Sequence, residues 1–234
     1  NCHKATIPAE LVGGCDPNPA MRQRATEVLG DYPWFETLDE LLELGIDCAI
    51  VTSPDDTHED ITCALLEAGV AVYLEKPIAI TIEGSDRVLE TAYRTKTPLY
   101  VGHNMRHMAV VRILRQVVQD GLIGEVRAIW CRHFVGNGGD YYFKDWHADR
   151  SRTTGLLLQK AAHDIDVMNW LSDSVPERVV GMGDLMLYGK LTDRGGQKSD
   201  AVMSDWFSFD NWPPASLTGL NPVIDVEDVS MLMM

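Results

Sequence analysis

The stretch AVYLEKPIAI, residues 71–80, runs an apolar segment into Glu75 and Lys76 and then into Pro77. A strand that ends on an acid, an amine and a ring-locked residue fixes the direction in which the amine leaves the backbone. A lysine amine starts with a pKa near 10.4, so it polarises an oxygen more readily than it takes a proton, unless burial or a nearby positive charge lowers it. A second group able to do chemistry is His163, in the segment LLLQKAAHDIDVMNWL. Its imidazole titrates near 6.5, within the working range of a base. Gln159, four residues before it, and Asp166, three after it, share its face at helical spacing. An amide hydrogen-bonds a hydroxyl but does not usefully accept its proton. No side chain takes a hydride, so oxidising an alcohol here would need a redox cofactor. Each residue also has an ordinary reading, as a solvated strand-end charge or a satisfied helix histidine. His103 and His107, four apart, match a helical chelating pair. No third ligand is visible, and no metal is expected.

These groups need elements to hold them. AELVGGCDPNP reads as a short strand over 10–15 that ends at Asp16, and PAMRQRATEVLG as a helix closed by Gly30. TLDELLELG reads as a helix between the cap Thr37 and the stop Gly45. DCAIVTSP and VAVYLEKP are continuous apolar runs, expected of strands buried on both faces. DDTHEDITCALLEAG lies between them as a helix with an acidic first turn, and TIEGSDRVLETAYRTK follows as a helix capped by Thr81. PLYVGHN is a further strand. This alternation implies an α/β fold with a parallel sheet and right-handed crossovers. Ligands of such sheets bind at the carboxyl ends of the strands. Asp16, Thr52, Ser53, Pro54, Glu75, Lys76 and Asn104 all fall there, so the Glu75–Lys76–Pro77 strand end is expected to floor a crevice. Asp16 suits the acid that binds the adenine ribose of a dinucleotide, and it would repel the extra phosphate of NADP, which favours NAD. Its alternative reading is the start of a turn with Pro17. The GxGxxG turn is missing and is expected before residue 1.

After about residue 105 the pattern changes. MAVVRILRQVVQDG is an amphipathic helix, and GEVRAIWCRHFVG alternates like a strand of a half-covered sheet. The aromatic stretch that follows offers Tyr141, Tyr142, Trp146, His147 and Arg150, which suit stacking on a sugar as well as they suit a domain edge. Residues 156–171 read as one helix, in which Lys160 sits about 100° round from Gln159. ERVVGMGDLMLYG is a strand region interrupted by glycine. A long loop with Trp206 and Trp212 spans 190–222, and DVEDVSMLMM closes the chain as a strand.

The segments CDPNP, VTSPDDTH, YLEKPIA, VGHNMR, IGEV and HDIDVMNWL stand in this order at plausible intervals. In them the chain resembles the Gfo/Idh/MocA oxidoreductases, the glucose-fructose oxidoreductase and inositol dehydrogenase group, from residue 10 to about 171. The resemblance implies a Rossmann-like domain over 1–104 without its first strand. An α+β domain over 105–234, with an open and largely antiparallel sheet, follows it. It implies truncation at both ends and a homo-oligomer formed through the second-domain sheet. It further implies that Lys76 and His163 are catalytic and that Pro77 directs the lysine, often through a cis bond. Glu75, Thr52, Ser53, Pro54, His58 and Asn104 then line the cofactor, with Arg106 near the nicotinamide. Gln159, Asp166 and Asn104 then meet the substrate, and Trp146 is expected to join them on the strength of its aromatic ring alone. Gln159 departs from the aspartate common at that position, and Asp166 is expected to orient the imidazole. The function implied is NAD-dependent hydride transfer with a sugar, cyclitol or related polyol. The alternatives are an NAD-dependent glycosidase acting by transient oxidation and elimination, and an NAD-sensing or structural relative.

The bulk of the 234-residue chain agrees with a small, neutral polar ligand. Its net charge of −15, from 35 acidic and 20 basic side chains, repels nucleic acid and anionic membranes. The five cysteines include no CxxC and read mostly as buried thiols of a reducing compartment, the cytoplasm. No apolar run reaches spanning length.

Overall fold

The structure, a computed structural model, describes residues 9–135, 142–192 and 220–234. Cys2, Tyr141, Trp206 and Trp212 lie outside the described residues. The first half runs β1 (Gly14–Cys15), α1 (Pro19–Leu29), β2 (Trp34–Phe35), α2 (Leu38–Leu42), β3 (Cys48–Val51), α3 (His58–Glu67), β4 (Ala71–Leu74), α4 (Ile82–Thr95) and β5 (Leu99–Val101). Strands β3, β4 and β5 form a parallel sheet in that order. Val51 pairs with Leu74 and Leu74 with Val101, so the three strands end level. Residues 52–54, 75–77 and 102–104 therefore leave the sheet along one edge. The parallel pair β1–β2 is hydrogen-bonded separately, and among the described residues no strand joins it to the other three. Two-residue strands carry no periodicity, which is why β2 escapes a reading by pattern and β1 is shorter than expected.

Helices α3 and α4 cover one face of the sheet. Cys63, Leu65 and Leu66 of α3 and Val88 of α4 pack with Val51, Val72 and Leu74 in one core cluster. The opposite face differs from expectation. The cross-strand row Ile50, Tyr73 and Tyr100 points away from both helices, and Ile50 and Tyr100 are exposed. The apolar run of β3 is thus buried on one face only among the described residues. The thiols need a similar correction, because Cys63 is buried while Cys48 and Cys131 are exposed. The helix starts follow local chemistry. Thr37 makes a reciprocal capping box with Glu40, and Thr81 accepts the Gly84 N–H at 2.9 Å.

The second half contains α5 (Ala109–Gln119), α6 (Arg150–Thr153), α7 (Leu156–Gln159), α8 (Ala162–Ser172), β6 (Val180–Asp184) and β7 (Val229–Met233). Strands β6 and β7 are antiparallel, from Val180 opposite Met233 to Asp184 opposite Val229. Two expectations fail here. Residues 125–135 join no ladder among the described residues. Their alternation only sorts side chains, Trp130 and Phe134 outward and Cys131 and His133 toward Asp164 of α8. A period of two specifies faces, not a partner strand.

The second failure concerns 156–171, which is two helices rather than one. Lys160 and Ala161 both donate to the Leu156 carbonyl, at 2.8 and 3.1 Å. In an unbroken helix the His163 N–H would reach the Gln159 carbonyl; it turns instead to Lys160 at 3.4 Å. No glycine or proline marks this break. It is held from outside, because the Lys76 ammonium enters the ladder and takes the Gln159 carbonyl at 2.6 Å. The start of α7 is also held from outside. Glu227 accepts the Leu157 N–H at 3.0 Å and pairs with Arg150 at 3.0 Å. Its carboxylate passes so near Gly155 (φ +149°) that a Cβ there would meet it at 2.7 Å.

Candidate functional site

The level strand ends and the broken helix meet at Lys76. Its side chain leaves the end of β4 just before the cis Lys76–Pro77 bond and crosses to the second half. His163, in the first turn of α8, is 7% exposed. Burial pushes its imidazole down to about 4, helped by the positive charges of Lys76 and Lys160. The ring is therefore neutral near neutral pH, and a weaker base than a free imidazole. Burial also lowers Lys76, against the raising pull of Asp55 and Glu75. Four buried polar atoms at this site, Asp55 Oδ2, His103 Nδ1, Gln159 Oε1 and His163 Nδ1, have no hydrogen-bond partner among the described residues. Buried polar atoms are nearly always paired, so such a group marks where a ligand hydroxyl or water would bind.

The expected cofactor residues line the strand-end edge. Asp16 follows β1, and its Oδ1 accepts the Asn18 N–H at 2.8 Å, so it also opens the turn into α1. Thr52 is exposed; Ser53 and Pro54 are half-buried, and Ser53 accepts the Thr57 hydroxyl at 2.7 Å. Glu75 accepts the Lys76 backbone N–H at 2.9 Å. Asn104 is exposed just past β5. These positions suit a dinucleotide lying along the carboxyl edge of a parallel sheet.

Three assignments change. His58 is buried, with Nδ1 2.7 Å from the Pro77 carbonyl and Nε2 2.9 Å from the Ser53 carbonyl. It clamps two strand-end loops together and has no ring nitrogen left for a cofactor. Asp166 does not orient the imidazole. It takes the Arg106 guanidinium in a two-pronged bond at 2.7 and 2.6 Å, with His103 Nδ1 3.8 Å away. Arg106 in turn lies 5.5 Å from the Trp170 ring centre. Trp146 stacks on His147 with ring centroids 3.7 Å apart and Arg152 5.7 Å from its ring, so its stacking is used within the protein.

Sequence reasoning passed over Asp55, His103 and Lys160. Asp55 reads in sequence as part of an acidic helix start, although it is 3% exposed. The spacing of His103 suggests only a metal ligand; its ring lies edge-on to His163 at 6.3 Å, while His107 bonds the Tyr100 hydroxyl at 2.8 Å. Continuous-helix geometry puts Lys160 off the face, and the break cancels that geometry. Among the described residues no group of three or more His, Cys, Asp or Glu side chains could hold a metal ion. No helix among them is long and apolar enough to cross a membrane.

Polar contacts join the two halves around this site. Arg152 of α6 bonds Asp56 at 3.2 and 3.1 Å, and the Thr154 hydroxyl donates to the Ile80 carbonyl at 2.6 Å. A groove of about 1640 Å³ also opens between 124–135, α8 and the β6–β7 pair. Lys160 lines it, whereas Lys76, Gln159 and His163 do not.

Comparison with known proteins bears on this arrangement. Residues 1–103 match a family described as oxidoreductase, NAD-binding Rossmann fold, and residues 111–230 match the GFO/IDH/MocA C-terminal domain. An inositol 2-dehydrogenase of Rhizobium meliloti (strain 1021) is 29% identical over 199 residues, covering 83% of this chain and 57% of that protein. A glucose-6-phosphate 3-dehydrogenase of Bacillus subtilis (strain 168) is 30% identical over 177 residues, covering 73% and 49%. Among solved structures, the scyllo-inositol dehydrogenase of Lactobacillus casei with bound NAD(H) and scyllo-inositol aligns with a TM-score of 0.69 at 27% identity. That alignment covers 77% of this chain and 53% of that one. The chain spans about half the length of the curated relatives it matches.

Proposed function

The chain belongs to the GFO/IDH/MocA oxidoreductase family, and on that premise we propose that it is part of an NAD-dependent dehydrogenase acting on a hydroxyl carbon of a sugar, cyclitol or related polyol. The observation that carries this reading is the bond between Lys76 Nζ and the Gln159 carbonyl, 83 residues apart in sequence, beside a buried and neutral His163. The relatives described as inositol and glucose-6-phosphate dehydrogenases support the substrate class.

Hydride acceptance is the chemistry that the bound nicotinamide supplies. The chain's own residues manage the proton and the orientation. Lys76 donates a hydrogen bond to the reacting oxygen and polarises it. His163 accepts the hydroxyl proton on its ring. Gln159 Oε1 accepts from a neighbouring hydroxyl, which favours a polyol over a simple alcohol. Asp16 holds the adenine ribose and disfavours the added phosphate of NADP.

The test is nicotinamide reduction by the whole protein against a panel of inositols, hexoses and hexose phosphates, with NAD and NADP in parallel. Turnover is expected with NAD and a member of the panel, and a loss of at least about 100-fold in Lys76→Met. Equal turnover in that variant would remove Lys76 from the reaction. Cleavage of a glycoside without net NADH would replace the dehydrogenase reading with the glycosidase one.

A further inference from the structure

The joint between α7 and α8 stands open against its own sequence. Leucine, glutamine, lysine and alanine favour helix, and no glycine or proline lies between Leu156 and Ser172. Yet α7 ends at Gln159 and α8 begins at Ala162. The Leu156 carbonyl accepts both the Lys160 N–H at 2.8 Å and the Ala161 N–H at 3.1 Å. The second bond spans one residue more than an α-helical bond does, so the turn is wider than its neighbours. The His163 N–H has a long bond to the Lys160 carbonyl, at 3.4 Å. The Gln159 carbonyl, its partner in one continuous helix, is held by Lys76 Nζ at 2.6 Å.

On either side of the joint a buried polar atom is unpaired. Gln159 is 5% exposed and His163 7%, and Gln159 Oε1 and His163 Nδ1 have no hydrogen-bond partner among the described residues. Residues four apart in an unbroken helix are neighbours on one face. There a neutral imidazole with its proton on Nδ1 donates to the amide oxygen, and one bond satisfies both atoms. Unpaired buried groups are costly, so closure is the arrangement the segment favours by itself.

We propose that Lys76 has a second role, as the positioning residue of this joint: by occupying the Gln159 carbonyl it keeps the two helices apart, and so keeps the Gln159 amide oxygen and the His163 ring free for a ligand hydroxyl rather than bonded to each other. The inference rests on reading Gln159 and His163 as groups that meet the substrate. An ammonium has three N–H donors, so the one on the carbonyl leaves two for the reacting oxygen and its surroundings. The open joint carries its two unpaired atoms until a polyol pairs them. Both helices are anchored elsewhere as well, α7 by Glu227 on the Leu157 N–H at 3.0 Å and α8 by Arg106 on Asp166 at 2.7 and 2.6 Å. Neither contact reaches residues 159–163, where the choice between one helix and two is made.

The experiment is NMR of the whole protein without added ligand, reading the His163 amide exchange rate and its ring nitrogen signals in the wild type, Lys76→Met and Lys76→Arg. In Lys76→Met the His163 N–H is expected to take the Gln159 carbonyl and to exchange at least about 10-fold more slowly, with the ring proton fixed on Nδ1 against Gln159. Lys76→Arg keeps a cationic donor and is expected to hold the wild-type pattern. A general loosening of the fold would speed the exchange, not slow it. The same rate and the same ring signals in all three proteins overturn the proposal. If Lys76→Met does not fold, the wild type carries the test. A coupling between Lys76 Nζ and the Gln159 carbonyl carbon, across their hydrogen bond, is expected there, and its absence overturns the proposal. Turnover is scored separately. A joint that closes in a protein with no activity on any polyol upholds the joint and rejects the dehydrogenase reading, and an unmoved joint in an active enzyme does the reverse.

Discussion

The two halves of the chain position their parts of the site by different means. In the first half, Lys76 hangs from a strand whose neighbours end level with it and whose inner face is sealed by Leu66, Leu74 and Val88, all fully buried. In the second half, every residue of β6 is exposed, and the strand pair contributes little core of its own. His163 is placed there by polar links: Arg106 to Asp166, Arg115 to the Trp170 carbonyl, Glu227 at the start of α7, and Lys76 itself in the helix break. The lesson is that an apolar core fixes the amine, while hydrogen bonds and charges bring the imidazole to it.

The largest effect should come from the core of the first half. Leu74→Ala is expected to cost about 2–5 kcal/mol in urea unfolding. The exposed Met231→Ala in β7 should stay within about 0.5 kcal/mol. Similar costs at the two positions would break the contrast. Next comes the polar anchoring of α8. Asp166→Ala leaves a half-exposed Arg106 without its carboxylate and should cost about 1–2 kcal/mol. Hydrogen exchange should speed up in α8 and stay unchanged in β4; a uniform increase would mean that the halves are not held separately.

The smallest effect is a pair of opposite pH slopes. His163 is pushed from 6.5 to about 4, so the folded chain binds fewer protons than the unfolded one in that window. The stability of the neutral ring is lost as pH falls through it. Asp55 is pushed from 3.8 up to about 6, so its contribution is present at low pH and lost as pH rises through that range. In thermal melts taken from pH 6.5 down to 4, His163→Gln should gain on the wild type and Asp55→Asn should lose ground to it. Each drift should be on the order of 1 kcal/mol, and parallel curves would contradict both burial effects.

Much of the first half is legible in sequence because its elements are decided locally. Thr37 and Thr81 announce their helices, and the apolar run 70–74 followed by Glu75–Lys76–Pro77 announces a strand end at a crevice. The second half is decided by contacts between residues far apart. Nothing within 156–171 signals a break at Lys160, because Lys76 supplies it from 83 residues away. The alternation in 125–135 is real but has no ladder to join among the described residues. Asp166 shares a helix face with His163, yet Arg106 competes for it with two hydrogen bonds, and spacing alone does not reveal a competitor.

The central claim is that Lys76 and His163, one from each half, act on one oxygen as a unit. A double-mutant cycle on NADH formation tests it most directly, comparing Lys76→Met, His163→Gln and the double variant on the best substrate of the panel. The account predicts that each single variant loses at least about 100-fold and that the double variant is little worse than the poorer single one. Losses that multiply, or a single variant that keeps wild-type turnover, would contradict it.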